Sequence, residues 1–460
     1  MKKIFATLSL LLIFSLSVTA QNKQILYGFS NIPQTLLLNP GQDVGYKYHV
    51  GMPLLSGISA DINMSGFTVA DLFTSDNIDF NTKLNNVISN LGSNDYAYLN
   101  TQIEVINAGV KLNKRDYLSF GFYTEADAFL TIPKGILELA KEGNASFLNR
   151  SFLLSKISSK MDVLGVLHAG ISRKINNKLT VGTRLKIYSS ALNIYSGGNQ
   201  GSFTTRLGRD NIYVHTLNNV DASVYSSGIY NEDDEIAIEG AGDVIGSTFL
   251  GGNLGLGVDF GFTYNINNQT KIMASLLDLG FISYSDNIRN ATLNGNYVFS
   301  GIEFQYDNTN PDYWQNLTDD FNDKIQREEN KESYTVARPV KLNAAIKHSF
   351  GKSRSEENCS DISYNNYYDN AVGAQLYSVL TPIGPRFAFT GFYERALLER
   401  LQAKVTYTVD DFSYTNVGIG ISANIWKLNF YGVVDNVFKL SNVADANRAS
   451  FQLGVNLIVK

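Results

Sequence analysis

FQLGVNLIVK, residues 451–460, is the stretch that decides the fold. Phe451, Leu453, Val455, Leu457 and Val459 share one face, with Gln452, Gly454, Asn456, Ile458 and Lys460 on the other. A repeat of two is the side-chain period of a β-strand with unlike faces. The pattern recurs upstream. Leu401–Asp410 (LQAKVTYTVD) sets Leu401, Ala403, Val405, Tyr407 and Val409 against Gln402, Lys404, Thr406, Thr408 and Asp410. Leu254–Tyr264 (LGLGVDFGFTY) sets a large apolar row against Gly255, Gly257, Asp259, Gly261 and Thr263. Val340–Phe350 (VKLNAAIKHSF) carries Lys341, Asn343 and Lys347 on its polar side.

A soluble sandwich alternates in the same way, so strand length and face composition decide. Many segments outrun the usual strand of about 5–6 residues and reach the roughly 9–11 that a tilted strand needs to cross a bilayer. Their polar faces are small, built of Gly, Ser, Thr and Asn. Tyr and Phe gather toward strand ends, as in YLSFGFY (117–123), the enrichment that interfacial girdles produce. Charged residues make up only 18% of the chain and aromatics 12%, which favours a membrane wall over a soluble surface. The fold expected is all-β, a transmembrane antiparallel β-barrel with outer-membrane lipid around it.

Turns order the strands. Leu112–Tyr117, Ile175–Lys178 and Ile266–Thr270 are tight, Asn-bearing connections, whereas most others are long. Outer-membrane barrels have short periplasmic turns and long outer loops, which places these three turns in the periplasm. The expected strands are 47–66, 101–113, 116–131, 161–175, 178–196, 251–266, 270–285, 335–350, 369–382, 385–395, 401–410, 414–424, 426–434 and 449–460, 14 in all. Two further stretches, near 201–217 and 220–230, would make 16; they read as an extended outer hairpin. The last strand is expected to close on the first and so remove the exposed edges. Lys460 stands where an aromatic is common, and Phe451 is expected to supply that feature from further in.

Lys2 and Lys3, the apolar run Ile4–Val18 and the small-residue site Val18-Thr19-Ala20 read as a signal peptide over residues 1–20. No later window holds the roughly 18 apolar residues of a spanning helix. Residues 21–46 are an N-terminal arm or plug, and residues 47–460 the barrel. Within the arm, Leu36-Leu37-Leu38-Asn39-Pro40-Gly41 is a poor strand because Pro removes a ladder donor. It either folds into the lumen, making Asn39, Pro40 and Gly41 a candidate gate, or runs along the periplasmic side. Asp259, Lys341, Lys347, Lys404 and Asp410 are candidate lumen-facing residues that pair with one another or line a pore.

Lys134–Glu142 (KGILELAKE) and Asn310–Glu329 read as short outer-loop helices, over the barrel mouth or packed on its rim. The acidic run Glu232–Glu235 matches no calcium loop and reads as solvated. His49, His168, His215 and His348 stand apart from one another, and no G-x-S-x-G, H-E-x-x-H or Walker glycine loop is present. No enzyme and no cofactor are expected. The net charge of -5 carries no nucleic-acid signal, and Cys359, the one cysteine, excludes an intramolecular disulfide.

The motif LLLNPG (36–41) resembles the Asn-Pro motif near the mature N-terminus of fatty-acid-transporter-like (FadL-like) outer-membrane barrels. GLGVDFGFTY (255–264), LLDLGFISY (276–284) and VGTRLKIYSSALNIYS (181–196) resemble strand motifs of a Bacteroidetes branch of such proteins. That branch includes an uncharacterised domain family and is similar to barrels associated with type IX secretion and gliding. The resemblance implies about 14 strands and an N-terminal segment that occludes the lumen. It implies no catalytic residue. Three functions are expected in turn. The leading one is an accessory or partner subunit of an envelope assembly, secretion-linked, whose partners are envelope or secretion proteins. The alternative is a transporter passing a hydrophobic or small polar solute, with a hydrophobic ligand as partner. The third is an adhesive surface barrel working through loops 67–100 and 286–334.

Overall fold

A computed structural model describes residues 23–29, 31–92, 95–131, 133–231, 246–249, 251–300, 325–351, 368–398, 400–410 and 416–459. The expected signal peptide, the acidic run at 232–235, Cys359 and Lys460 lie outside them. The long strands form in order along the chain. β1 runs over Tyr48–Gly51 and Ile58–Met64, β2 over Ala97–Lys111, β3 over Asp116–Thr131, β4 over Ser158–Lys174 and β5 over Leu179–Ser196. β6 is Asn253–Asn265, β7 Thr270–Tyr284, β8 Tyr334–Ala337 with Lys341–Phe350, β9 Asn370–Thr381 and β10 Gly384–Leu398. β11 is Leu401–Val409, β12 Asn416–Ile425, β13 Leu428–Asp435 and β14 Arg448–Val459.

Each strand pairs antiparallel with the next, and β14 returns to β1 in the register Tyr48↔Val459 and Ile58↔Leu453. The result is a closed barrel of 14 antiparallel strands. The last strand, which carries all but the final residue of FQLGVNLIVK, forms its seam. Closure satisfies backbone groups that an open edge would leave to the solvent.

Exposure is inverted relative to a soluble protein. In β11, Val405 and Tyr407 are 43% and 50% exposed while Lys404, Thr406 and Thr408 are buried. In β14, Phe451 and Leu453 face out and Ser450, Gln452 and Asn456 face in. Apolar side chains thus cover the outside and polar ones the inside. Such a surface is stable in hydrocarbon and would aggregate in water.

Several irregularities interrupt the wall, and two of them bear on the interior. Residues 52–57 interrupt β1, pushing Met52, Leu54 and Leu55 outward where a single continuous strand was expected. In β7, Leu277 and Asp278 are both buried, and Asp278 adopts a left-handed backbone (φ 60) at a bulge opposite Val258–Phe260.

The long-loop end carries the remaining structure. Helix Lys134–Glu142 forms as expected. Helices Val69–Phe73 and Phe80–Asn90 also form, started by a Thr68/Asp71 capping box and by Asp79 as N-cap. The 200s hairpin exists outside the barrel, but its strands are Gln200–Leu207 and Tyr213–Ser227. The expected turn at Asn218-Asn219 is instead a bulge within the second strand, with Asn219 at φ 47. That strand pairs with Ile288–Phe299, which pairs with Ile325–Asn330. The helix expected over 310–329 is therefore corrected at its end: Ile325–Asn330 is a strand, because Ala291–Leu293 offers it a ladder partner. Residues 310–324 lie outside the described ones.

Candidate functional site

Residues 23–29 and 31–42 lie inside the barrel. Ile25, Leu26, Tyr27, Phe29 and Ile32 are at most 1% exposed. Leu26, Tyr27, Phe29 and Ile32 pack with Leu38 on Met273 of β7, Ala345 of β8 and Tyr431 of β13, which are inward apolar residues. A short helix, Thr35–Leu38, ends at Asn39, whose extended backbone (φ -147) suits the residue before proline. The Asn39 side-chain oxygen then accepts the Gly41 N–H at 2.9 Å, and its amide donates to the Phe262 carbonyl at 3.2 Å.

The wall is shaped to receive this turn. Gly182 of β5 and Gly261 of β6 are direct cross-strand partners and together form a side-chain-free saddle. A Cβ on Gly182 would overlap the Pro40 carbonyl and lie 2.6 Å from the Gly41 nitrogen; one on Gly261 would overlap the Asn39 side chain. Asn39, Pro40 and Gly41 therefore touch the wall backbone to backbone, an approach that only paired glycines allow.

Polar anchors surround the saddle. The Arg184 guanidinium donates to the Leu36 carbonyl and, at 3.1 Å, to the Leu37 carbonyl. Ser275 donates to the Leu38 carbonyl at 2.6 Å and Ser172 to the Gln42 carbonyl at 3.0 Å. Gln34 donates to Glu104 at 3.0 Å and exchanges two hydrogen bonds with Asn456 of the terminal strand. Glu104 also accepts from Ser56, beside the β1 interruption, at 2.9 Å. Lys404 donates to the Tyr27 carbonyl at 2.7 Å.

The five candidate lumen residues are buried on the inner face, and their partners are not one another. Asp259 accepts Arg184 at 3.1 Å and Lys186 at 2.9 Å. Lys341 pairs with Asp278 at 2.8 Å, the bulge residue that also takes Lys186 at 2.5 Å. Lys347 and Lys404 share Glu394, Lys404 at 3.3 Å. Asp410 binds Arg448 at 2.5 Å, and Arg448 reaches Asp435 at 3.2 Å. Nearer the long-loop end Arg338 joins Glu125 at 3.0 Å and Asp162 at 3.4 Å. Removing one member of such a group strands a buried charge, at a cost of about 3–5 kcal/mol. Between the inserted segment and this network lies a cavity of about 40 Å³, bounded by Leu37, Glu125, Arg184 and Asp278. One water takes roughly 30 Å³, so the described residues leave little free volume at mid-barrel.

Arg184, Lys186, Glu394 and Arg448 are members of this ion-pair network that alternation alone did not single out, although all but Arg448 lie in segments expected as strands. Arg184 and Lys186 stand two apart in VGTRLKIYSS and share one face, a signal available to alternation. Asp278 carried no such signal, because its bulge breaks the alternation that would have placed it.

A family of unknown function, DUF5723, matches residues 40–435. The chain belongs to that family. No curated protein matches it. Among solved structures it is similar to a Pseudomonas aeruginosa FadL homologue, at 9% identity over 96% of this chain and 98% of that one, TM-score 0.45. It is similar as well to the P. putida toluene transporter TodX, at 10% identity over 96% and 94%, TM-score 0.37. The translocator domain of the autotransporter NalP from Neisseria meningitidis matches at 8% identity over 90% and 88%, TM-score 0.30.

Proposed function

We propose that this member of DUF5723 is an outer-membrane channel closed by its own N-terminal segment and opened to a small solute when that segment withdraws. The observation that carries the reading is the seat of residues 36–41 on the Gly182–Gly261 saddle. A segment required only to fill the barrel needs apolar burial. This one is held through its main-chain carbonyls by Arg184, Ser275, Ser172 and Lys404, contacts that can be released without unfolding the wall. In this reading the short turns face the periplasm and the long loops the exterior. The inner face is ionic and amide-rich, so the reading favours a small polar solute over a hydrocarbon. No catalytic role or cofactor is invoked. Liposomes carrying the chain without residues 23–42 should swell in an isosmotic arabinose solution, and liposomes carrying the full chain should not. Equal swelling rates would remove the gate.

A second reading, an accessory subunit of a Bacteroidetes envelope assembly linked to type IX secretion, draws on the sheet at the long-loop end. Its two outer strands, Ser151–Leu153 and Ile325–Asn330, each pair on one side only among the described residues. Unpaired strand edges accept partner strands. Gentle detergent extraction followed by mass spectrometry would recover stoichiometric envelope proteins in that case, and a lone barrel otherwise.

A further inference from the structure

Beneath the inserted segment, at the short-turn end, the lumen opens into a cavity of about 190 Å³, the share of roughly six waters. Its wall is polar: Asn265, Lys271, Lys347, Asn370, Glu394 and Gln402 contribute. Lys271 and Lys347 are direct cross-strand partners of β7 and β8, and both line the cavity. Like charges directly opposite one another repel, at about 0.2–1 kcal/mol relative to a neutral pair. Lys347 is answered by Glu394. Lys271 has no ion-pair or hydrogen-bond partner among the described residues, although Glu394 and Asp43 lie within electrostatic reach. Lys178 and Arg395 add two further cations to the lining and Asp369 one further anion, so cations exceed anions by four to two in a chain whose net charge is -5.

We propose that this cavity is a binding site for a small hydrophilic organic anion, a carboxylate on a hydroxylated body. Its carboxylate would sit between the Lys271 and Lys347 ammonium groups, and the amides of Asn265, Asn370 and Gln402 would take its hydroxyls. An aliphatic chain finds no apolar wall of matching size there. The inference deepens the channel reading and rests on it for its biological meaning. The site also touches the gate. An anion beside Lys347 competes with Glu394, and Glu394 is the carboxylate that holds Lys404 beside the Tyr27 carbonyl.

The test is equilibrium dialysis of radiolabelled gluconate against the purified full chain in detergent, at about 50 mM salt so that screening is weak. Saturable binding of one gluconate per chain is expected, displaced by unlabelled gluconate and not by glucose or octanoate. Lys271→Gln should weaken it at least tenfold, and Lys271→Arg should retain it. Heat-modifiable gel mobility verifies that both variants keep the barrel. Absence of saturable binding, or equal affinity in Lys271→Gln, overturns the site. Solute flux through liposomes bearing the chain without residues 23–42 separates the two claims. Flux without gluconate binding removes the anion site and keeps the channel, whereas binding without flux keeps the site and removes the channel.

Discussion

Gly182→Val strikes the saddle with no charge change and no effect on the lipid-facing surface. The new Cβ would meet the Pro40 carbonyl and the Gly41 nitrogen, all main-chain atoms that cannot rotate away. Overpacking of this kind costs about 1–3 kcal/mol. Lifting the turn also sacrifices the Asn39 bond to the Phe262 carbonyl, about 0.5–1.5 kcal/mol. Together the seated state loses roughly 1.5–4.5 kcal/mol. At about 1.4 kcal/mol per factor of ten, the unseated population rises roughly ten- to a thousandfold. Hydrogen exchange read on peptides covering 31–42 reports that population directly. Exchange there should accelerate by that factor while peptides from β9–β12, remote from the saddle, keep wild-type rates. Unchanged exchange over 31–42 in a folded Gly182→Val barrel would refute the backbone-to-backbone seat.

The same geometry yields further outcomes. Leu185 is 67% exposed on the outer face of β5; Leu185→Arg should lower folding stability in liposomes by about 2–4 kcal/mol if it sits near the bilayer midplane, and a variant indifferent to the charge would place that face in water. Lys404→Met removes the hydrogen bond to the Tyr27 carbonyl while Glu394 keeps Lys347; exchange over 23–29 should rise about tenfold or more, since bonds to charged groups contribute roughly 1.5–3 kcal/mol. His215, stacked between Phe203 and Phe299 outside the barrel and bonded to Asn144 and Thr205, has its imidazole pushed below the ordinary value by desolvation. A depressed pKa in a base means the neutral form is the one folded. Its contribution is therefore complete above about pH 6.5 and declines as pH falls, so protection of amides in 144–153, corrected for the intrinsic pH dependence of exchange, should fall in acid; His215→Gln should abolish that loss of protection.

The strands were legible because the inner and outer solvents differ so sharply. An apolar outer face and a packed polar inner face impose a two-residue period on the wall segments, and FQLGVNLIVK or LQAKVTYTVD shows it without help from neighbours. The chain's departures from that period were hidden for the same reason. A bulge at Leu277-Asp278 switches the faces of the residues beyond it, and only the positions of Lys186 and Lys341 explain why an aspartate belongs there. The projecting sheet lacks the barrel's two unlike faces, and the break expected between 217 and 220 is in fact a bulge within one strand. Helix Phe80–Asn90 went unread in a loop, although Asp79 offered an N-cap. The glycines of GLGVDFG read as small lumen side chains that leave room for a plug. The pairing of Gly261 with Gly182 across the strand boundary, which makes the saddle, depends on register and was out of reach.

The inserted segment and the charge network divide the interior between them. Leu26, Tyr27, Phe29, Ile32 and Leu38 pack on β7, β8 and β13 and Ile25 on β12, while Arg184, Lys186, Asp259, Asp278 and Lys341 form the charged network on the inner face. Arg184 belongs to both, because it pairs with Asp259 and holds two carbonyls of the segment. Loss of that one side chain would loosen the seat and leave Asp259 with Lys186 as its one ion-pair partner among the described residues.

Single-channel recording in planar bilayers tests the central claim most directly, comparing the full chain with the chain lacking residues 23–42 under identical salt. The full chain should stay closed with rare, brief openings, and the shortened chain should conduct steadily. Equal conductance in the two, with both shown to be folded barrels, would contradict a lumen closed by its own N-terminal segment.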